Sequence, residues 1–324
     1  MIIPTINMKI TDGLKYYQRT SNFAVKELEK KLLKKYGDNA KYLYLTSSGM
    51  EAITSVIEFL LPVSGKIIIN ENLYFETESW LDMIGRYEII TLNLSNLNEL
   101  EETISTSNID IILLDNPSIN HKWLDIKKIV EIAHKKNIKV IVDNSVVSFY
   151  YYNPLNDNAD IVVESYSKFV SGHGDLMMGA TIFGYDLDDK TKDFLKAYLS
   201  YRGRVINTIS AYMLDARLET LELRMKAQTE NCKYIVEKLK ELNQNILYCG
   251  VGGVFLLIGY KEEDAKKLKF INIDINYGNT NSICTPIYDF DNDIFDTYYY
   301  LRFSIGLEDK ELLLNDIKQI LKKE

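Results

Sequence analysis

The stretch "DIVVESYSKFVSGHGD", residues 160–175, sets an apolar run (161–163) just before two serines that bracket a lysine. Ser165, Ser167 and Lys168 are followed by Gly172 and Gly174. A short, continuously apolar run reads as a strand covered on both faces, as in a parallel sheet. The same signature recurs outward from it. "YLYL" (42–45), "KIIIN" (66–70), "YEIITLNL" (87–94), "IDIILLD" (109–115), "KVIVD" (139–143) and "GATIFG" (179–184) read as further strands. Between them "MEAITSVIEFLL" (50–61) and "LDIKKIVEIAHKK" (124–136) repeat apolar residues at three- and four-residue spacing, which predicts helices. Strand alternating with helix implies an α/β architecture around a mostly parallel seven-stranded sheet.

Residues 205–242 lack Pro and Gly and carry helical periodicity, which predicts one long helix or two joined ones. Beyond them "GGVFLLIG" (252–259) reads as a strand and "KELLLNDIKQILKK" (310–323) as a closing helix. The expected organisation is an N-terminal arm and helix over 1–40, a large α/β domain over 41–204, and a linking helix with a smaller α+β domain over 205–324. The length, 324 residues, suits one large domain plus a smaller one.

Hydrophobic residues make up 46% of the chain and charged residues 26%, an ordinary balance for a globular protein. The net charge of -8 argues against a nucleic-acid binder, which carries a basic excess. Cys232, Cys249 and Cys284 have no paired spacing and no histidine cluster nearby, so neither a metal site nor a disulfide framework is expected. The start, "MIIPTINMKITDG", has no signal-peptide pattern, and no run reaches membrane-span length; a cytoplasmic protein with no membrane partner is expected.

Ligands of open α/β sheets sit beyond the carboxyl ends of the strands. Polar residues collect there: Asp115 and Asn116, Asp143 and Asn144, and the run from Ser165 to Lys168. The turn "TSSGME" (46–51) opens a helix, where backbone N–H groups form a ready phosphate cradle. Alone, such a turn is more often plain capping, and Asp143 is more often turn chemistry. Together they match one cofactor. Pyridoxal phosphate needs a lysine amine for its aldehyde, a carboxylate for its ring nitrogen, donors for its phosphate and an aromatic face for its ring. Lys168, Asp143, Ser165 with Ser167, the Ser48–Gly49–Met50 turn and Tyr74 supply these. A dehydrogenase is excluded early, because no G-x-G-x-x-G follows the first strand.

From about Tyr17 to its end the chain resembles the Cys/Met-metabolism family of pyridoxal-phosphate enzymes: cystathionine synthases, cystathionine lyases and methionine γ-lyases. The most specific match is "VIVDNS" with "SYSKFVSGHGD", in which 25 positions separate Asp143 from Lys168. "YQR" (17–19), "SSGMEAI" (47–53), "YFET" (74–77), "RLETLELRM" (217–225) and "LRFSIGLED" (301–309) follow the family in chain order. The resemblance implies an aspartate-aminotransferase-like fold (PLP fold type I). It implies Lys168 as the Schiff-base lysine, Asp143 as the ring-nitrogen partner, and Ser48, Gly49, Met50, Ser165 and Ser167 around the phosphate. Tyr74 would stack on the ring. Tyr17 and Arg19 would reach the phosphate of a neighbouring subunit, making a homodimer or homotetramer with shared sites. Arg302 would hold the substrate α-carboxylate, a task suited to a guanidinium fork.

The departures concern the substrate. Phe75 and Glu76 replace two small residues of the family, and Glu76 stands where the γ-lyases have a cysteine. "DNPSIN" (115–120) replaces E-S-P-x-N-P, so Ile119 aligns with the family asparagine and Asn120 falls one position late. "NYGNTNSI" (276–283) replaces S-L-G-G-x-E-S-L, which places Asn276 with Glu76 and Arg302 as substrate-side residues. The implied activity is β- or γ-elimination or replacement on a sulfur-containing or O-activated amino acid. Transamination or other α-carbon chemistry, and a catalytically weak cofactor-binding partner subunit, are the alternatives.

Overall fold

The computed structural model describes residues 22–287 and 299–321; Tyr17 and Arg19 lie outside them. The large sheet consists of β1 (Tyr42–Thr46), β2 (Gly65–Asn70), β3 (Tyr87–Leu92), β4 (Ile111–Asp115), β5 (Lys139–Asp143), β6 (Ile161–Ser165) and β7 (Gly179–Phe183). Its order is β1-β7-β6-β5-β4-β2-β3. All the pairings are parallel except those of β7, which runs antiparallel to both β1 and β6. The reason is local. No helix separates β6 from β7, so the chain returns directly beside the strand it has left, and a direct return forces the antiparallel sense.

Helices cover both faces. On one face α1 (Phe23–Tyr36) packs against the strands nearest β1, and α2 (Gly49–Leu60) and α3 (Phe75–Ile84) cover the other. The helices α4 (Leu97–Thr106) and α5 (Ile126–His134) share the face of α1 further along the sheet. Alternate residues of each strand go to opposite layers, as a pleated strand requires. In β4, Leu113 joins the layer beneath α2, while Ile112 and Leu114 join the layer beneath α5. This two-sided burial is why the strands read as unbroken apolar runs.

After α6 (Asp189–Tyr201), the stretch expected as one long helix or two joined ones is two: α7 (Thr208–Leu218) and α8 (Leu221–Glu241). The second sheet has five strands: β8 (Ile246–Leu247), β9 (Val254–Ile258), β10 (Asn272–Ile273), β11 (Ile283–Ile287) and β12 (Tyr300–Ser304). It packs on α8 and on α9 (Lys310–Lys318) through Phe255, Phe303, Leu257 and Ile317. Among the described residues no helix is long and apolar enough to cross a membrane.

Gly179 marks where the sheet meets the turn before α2. A Cβ there would lie 2.2 Å from the Ser48 carbonyl oxygen and 2.8 Å from Thr46 Oγ1. Strand and turn backbone cannot separate without moving α2. Gly179→Ala is therefore expected to lower the unfolding free energy by about 1–3 kcal/mol, measured by urea denaturation. An unchanged midpoint would show that the turn is free to shift.

Candidate active site

Four strands end alike on the face covered by α2. Tyr44, Leu113, Ile141 and Val163 belong to one apolar layer. Two residues further along each strand, on the same face, stand Thr46, Asp115, Asp143 and Ser165. The apolar floor thus gives way to a polar row at the carboxyl ends of β1, β4, β5 and β6. The loop after β5 fixes part of that row. Asp143 Oδ1 accepts from the Ser145 N–H at 2.9 Å, and Ser145 Oγ accepts from the Ser165 N–H at 2.7 Å.

The start of α2 closes over the row. Ser48 is its N-cap, with Oγ accepting from the Glu51 N–H at 3.1 Å. The N–H groups of Gly49 and Met50 have no acceptor among the described residues, the usual condition of a helix start that binds anions. A Cβ on Gly49 would sit 2.7 Å from Ser165 Cβ, so only glycine lets the helix approach that serine. The Ser167 hydroxyl is engaged elsewhere: it accepts from the Met178 N–H at 3.1 Å. Met50 Sδ accepts from Thr77 Oγ1 at 3.8 Å.

Lys168, one turn past β6, meets the second sheet. Its Nζ donates to Asn276 Oδ1 at 2.8 Å and lies 4.6 Å from the ring centre of Tyr277. The loop that carries these residues fits against the lysine's own backbone. Gly278 adopts φ +84°, and a Cβ there would lie 2.6 Å from the Phe169 nitrogen. Burial first, and then the positive charge of Arg302, bring the Lys168 ammonium down to a pKa of about 8, while Glu76 and Asp274 act in the opposite sense. Arg302, on β12, stands 4.9 Å from the same Tyr277 ring. Its Nη2 donates to the Ile275 carbonyl at 2.8 Å and to Thr285 Oγ1 at 3.1 Å, while its buried Nε has no partner among the described residues.

Tyr74 precedes α3. Its hydroxyl donates to Glu76 at 2.7 Å, and its main-chain N–H donates to Asp115 Oδ2 at 2.8 Å. Burial and the Glu76 carboxylate both push the phenol pKa upward, so Tyr74 stays protonated at neutral pH. Lys168, Asn276, Arg302, Tyr74 and Glu76 thus converge, with Asp143, Ser165 and the start of α2 along the floor. Asn120 turns to its own loop, with Oδ1 2.5 Å from Ser118 Oγ. Sequence reasoning missed Tyr277, because one of 23 tyrosines carries no signal of its own. Its place beside Asn276 in "NYGNTNSI" was the available clue.

The model of the family described as Cys/Met metabolism PLP-dependent enzyme matches residues 7–253. The chloroplastic mimosinase of Mimosa pudica is 29% identical over 346 residues, spanning 95% of this chain and 76% of that one. The cystathionine γ-synthase of Haemophilus influenzae is 29% identical over 328 residues, spanning 94% and 86%. Among solved structures, metB from Corynebacterium glutamicum superposes with a TM-score of 0.84 at 23% identity, covering 98% of this chain and 92% of that chain. Cystathionine γ-synthase from Xanthomonas oryzae pv. oryzae, in complex with aminoacrylate and cysteine, gives 0.82 at 22%, covering 95% and 89%. The chain has the fold of these enzymes, as the resemblance in its sequence implied.

The Lys168 surroundings set a titration. Reductive ¹³C-methylation of the cofactor-free chain, followed by NMR, is expected to show one lysine with its midpoint near about 8. Arg302→Gln removes a nearby positive charge and moves that midpoint up; Glu76→Gln removes a negative one and moves it down. A midpoint at the ordinary lysine value in all three proteins would contradict the burial of this amine.

Proposed function

The chain belongs to the Cys/Met metabolism PLP-dependent enzymes, and from that premise we propose that it catalyses elimination or replacement at the β- or γ-carbon of a sulfur-containing or O-activated amino acid. Its cofactor is pyridoxal 5′-phosphate. The residues present fit that group. The floor holds a buried carboxylate oxygen without a partner, Asp115 Oδ1, beside Asp143. The start of α2 offers free N–H groups at a glycine whose approach to Ser165 leaves no room for a Cβ. The Ser165 hydroxyl has no partner among the described residues. When bound, the cofactor supplies a ring that withdraws electrons from the substrate's α-carbon.

The chain's residues divide the remaining work. The Gly49 and Met50 N–H groups, with Ser48 and Ser165, would hold the phosphate, Ser167 would join them only by turning its hydroxyl from Met178, and Asp143 would hold the ring nitrogen in its protonated form. Tyr74 would lie against the ring. Arg302 would take the substrate carboxylate, giving up its contact with the Ile275 carbonyl or adding to it. Lys168 would carry the cofactor at rest and remove the α-proton as general base. An ammonium with a pKa of about 8 has a substantial neutral fraction near neutral pH, which matches that task. Tyr74, protonated and hydrogen-bonded to Glu76, would give a proton to the departing group. The single observation that carries the reading is the Lys168 amine, partly buried and held by Asn276 over the Tyr277 ring. Residues 41–204 would form the cofactor-binding domain and 205–324 the smaller one. The shared-site homodimer or homotetramer rests on Tyr17 and Arg19, outside the described residues.

Borohydride treatment of the yellow holoenzyme is expected to fix the cofactor on a single peptide containing Lys168. Lys168→Ala should lower turnover by about 100- to 10,000-fold. With a panel of sulfur-containing and O-acylated amino acids, release of ammonia and a 2-oxo acid supports the reading. Accumulation of the pyridoxamine form would replace it with transamination, and a colourless protein would overturn it. Glu76→Gly is expected to keep the cofactor and to change the ratio of kcat/KM between two substrates by about tenfold. Unchanged ratios across the panel would remove Glu76 from the pocket.

A further inference from the structure

Asp115 and Asp143 are paired positions on the neighbouring parallel strands β4 and β5, so both side chains leave the sheet on the same face. Asp115 is only 7% exposed. One of its oxygens holds the Tyr74 N–H at 2.8 Å, and the other is buried without a partner. Asp143 spends Oδ1 on the Ser145 N–H. Around the pair, the groups that act on it are Glu78 from α3, Glu164 from β6, and the phenols of Tyr74 and Tyr277. Among the described residues no cation is paired with either carboxyl. Asp115 is buried and Asp143 half-buried, and two adjacent carboxyls so placed, without a cation, favour holding one proton between them at neutral pH.

We propose that Asp115 is a positioning residue of the cofactor floor, the proton-holding member of a one-charge pair with Asp143, which also fixes Tyr74 above that floor through its main-chain N–H. The inference rests on the reading of Asp143 and Tyr74 as cofactor residues. Asp143 is the member left to carry charge, because its Oδ1 is already stabilised by the Ser145 N–H. Asp115 has an oxygen with no donor, the situation of a neutral acid. Burial and the neighbouring Asp143 both push the Asp115 carboxyl up, and burial pushes Asp143 up. The sign for stability follows. A carboxyl raised in the folded chain favours folding below its unfolded pKa, and that contribution is lost as pH rises through the folded value. Glu29, Glu51 and Glu164, raised by burial to about 7, 7 and 8, contribute in the same sense. The difference between the wild type and a variant isolates the pair.

The experiment uses the full chain with and without pyridoxal phosphate. Asp115→Asn keeps the shape of the neutral acid and can still accept the Tyr74 N–H. Without cofactor, its thermal midpoint is expected to fall less than that of the wild type between about pH 5 and pH 8. With cofactor, its affinity at pH 7 should stay within about threefold of the wild type, with the visible dichroism of the bound cofactor retained. Asp115→Ala cuts the tether and should weaken pyridoxal phosphate binding by about five- to tenfold, the worth of one hydrogen bond, and alter the dichroism. Identical pH profiles for wild type and Asp115→Asn would overturn the shared proton. An Asp115→Asn affinity as weak as that of Asp115→Ala would overturn the neutral state of Asp115. Failure of the wild type to bind pyridoxal phosphate would instead overturn the reading of the site, while the cofactor-free pH comparison still decides the pair.

Discussion

A lysine amine withdrawn from water is the constraint on which the rest of the site depends. Burial disfavours the charged form and nearby Arg302 disfavours it further. The amine is held by a neutral amide oxygen, Asn276 Oδ1, and an aromatic face, Tyr277, and not by a bonded carboxylate. A direct Asp or Glu partner in place of Asn276 would lock the ammonium and remove its value as a base. The amine therefore needs the second sheet. The first sheet delivers Lys168 to its edge, and the loop before β11 supplies the groups that hold it.

The floor follows a related logic. Parallel strands covered on both faces end together, so their last residues form one row. Here that row contains two adjacent carboxyls. Water cannot relieve Asp115, and among the described residues no ion pair does, so electrostatics and hydrogen bonding distribute the charge between the pair. The same Asp115 reaches Tyr74, so the charge state of the floor and the placement of the ring beside it are coupled through one side chain. Glu76 is the opposite case. It is exposed at the mouth of the site, bonded only to the Tyr74 hydroxyl among the described residues, and it can be changed with little effect on the floor.

Much of this was legible in the sequence, for identifiable reasons. The seven strands announced themselves because two-sided burial leaves no room for polar residues within them. Lys168 and Asp143 stood out as polar residues at the ends of such runs. Gly49 was legible as a cradle, since small residues before a helix admit close approach. The helices α3, α4 and α6 are harder to read, because each turns only two or three residues inward and so offers few repeats of an apolar period. The strands β11 and β12 were hidden by their mixed composition: Thr285, Pro286 and Arg302 interrupt the apolar pattern.

The sequence by itself determined the covered sheet, the cofactor and the lysine that meets it, because these depend on local pattern and fixed spacing. Only the tertiary structure decided that Asn276 and Tyr277 hold the lysine, that Arg302 faces the same ring, and that Asp115 lies beside Asp143 while gripping Tyr74. Each of those contacts joins residues 25 to 109 positions apart, and a pairing across such distances is set by how strands align and sheets pack, which no local window of the chain contains.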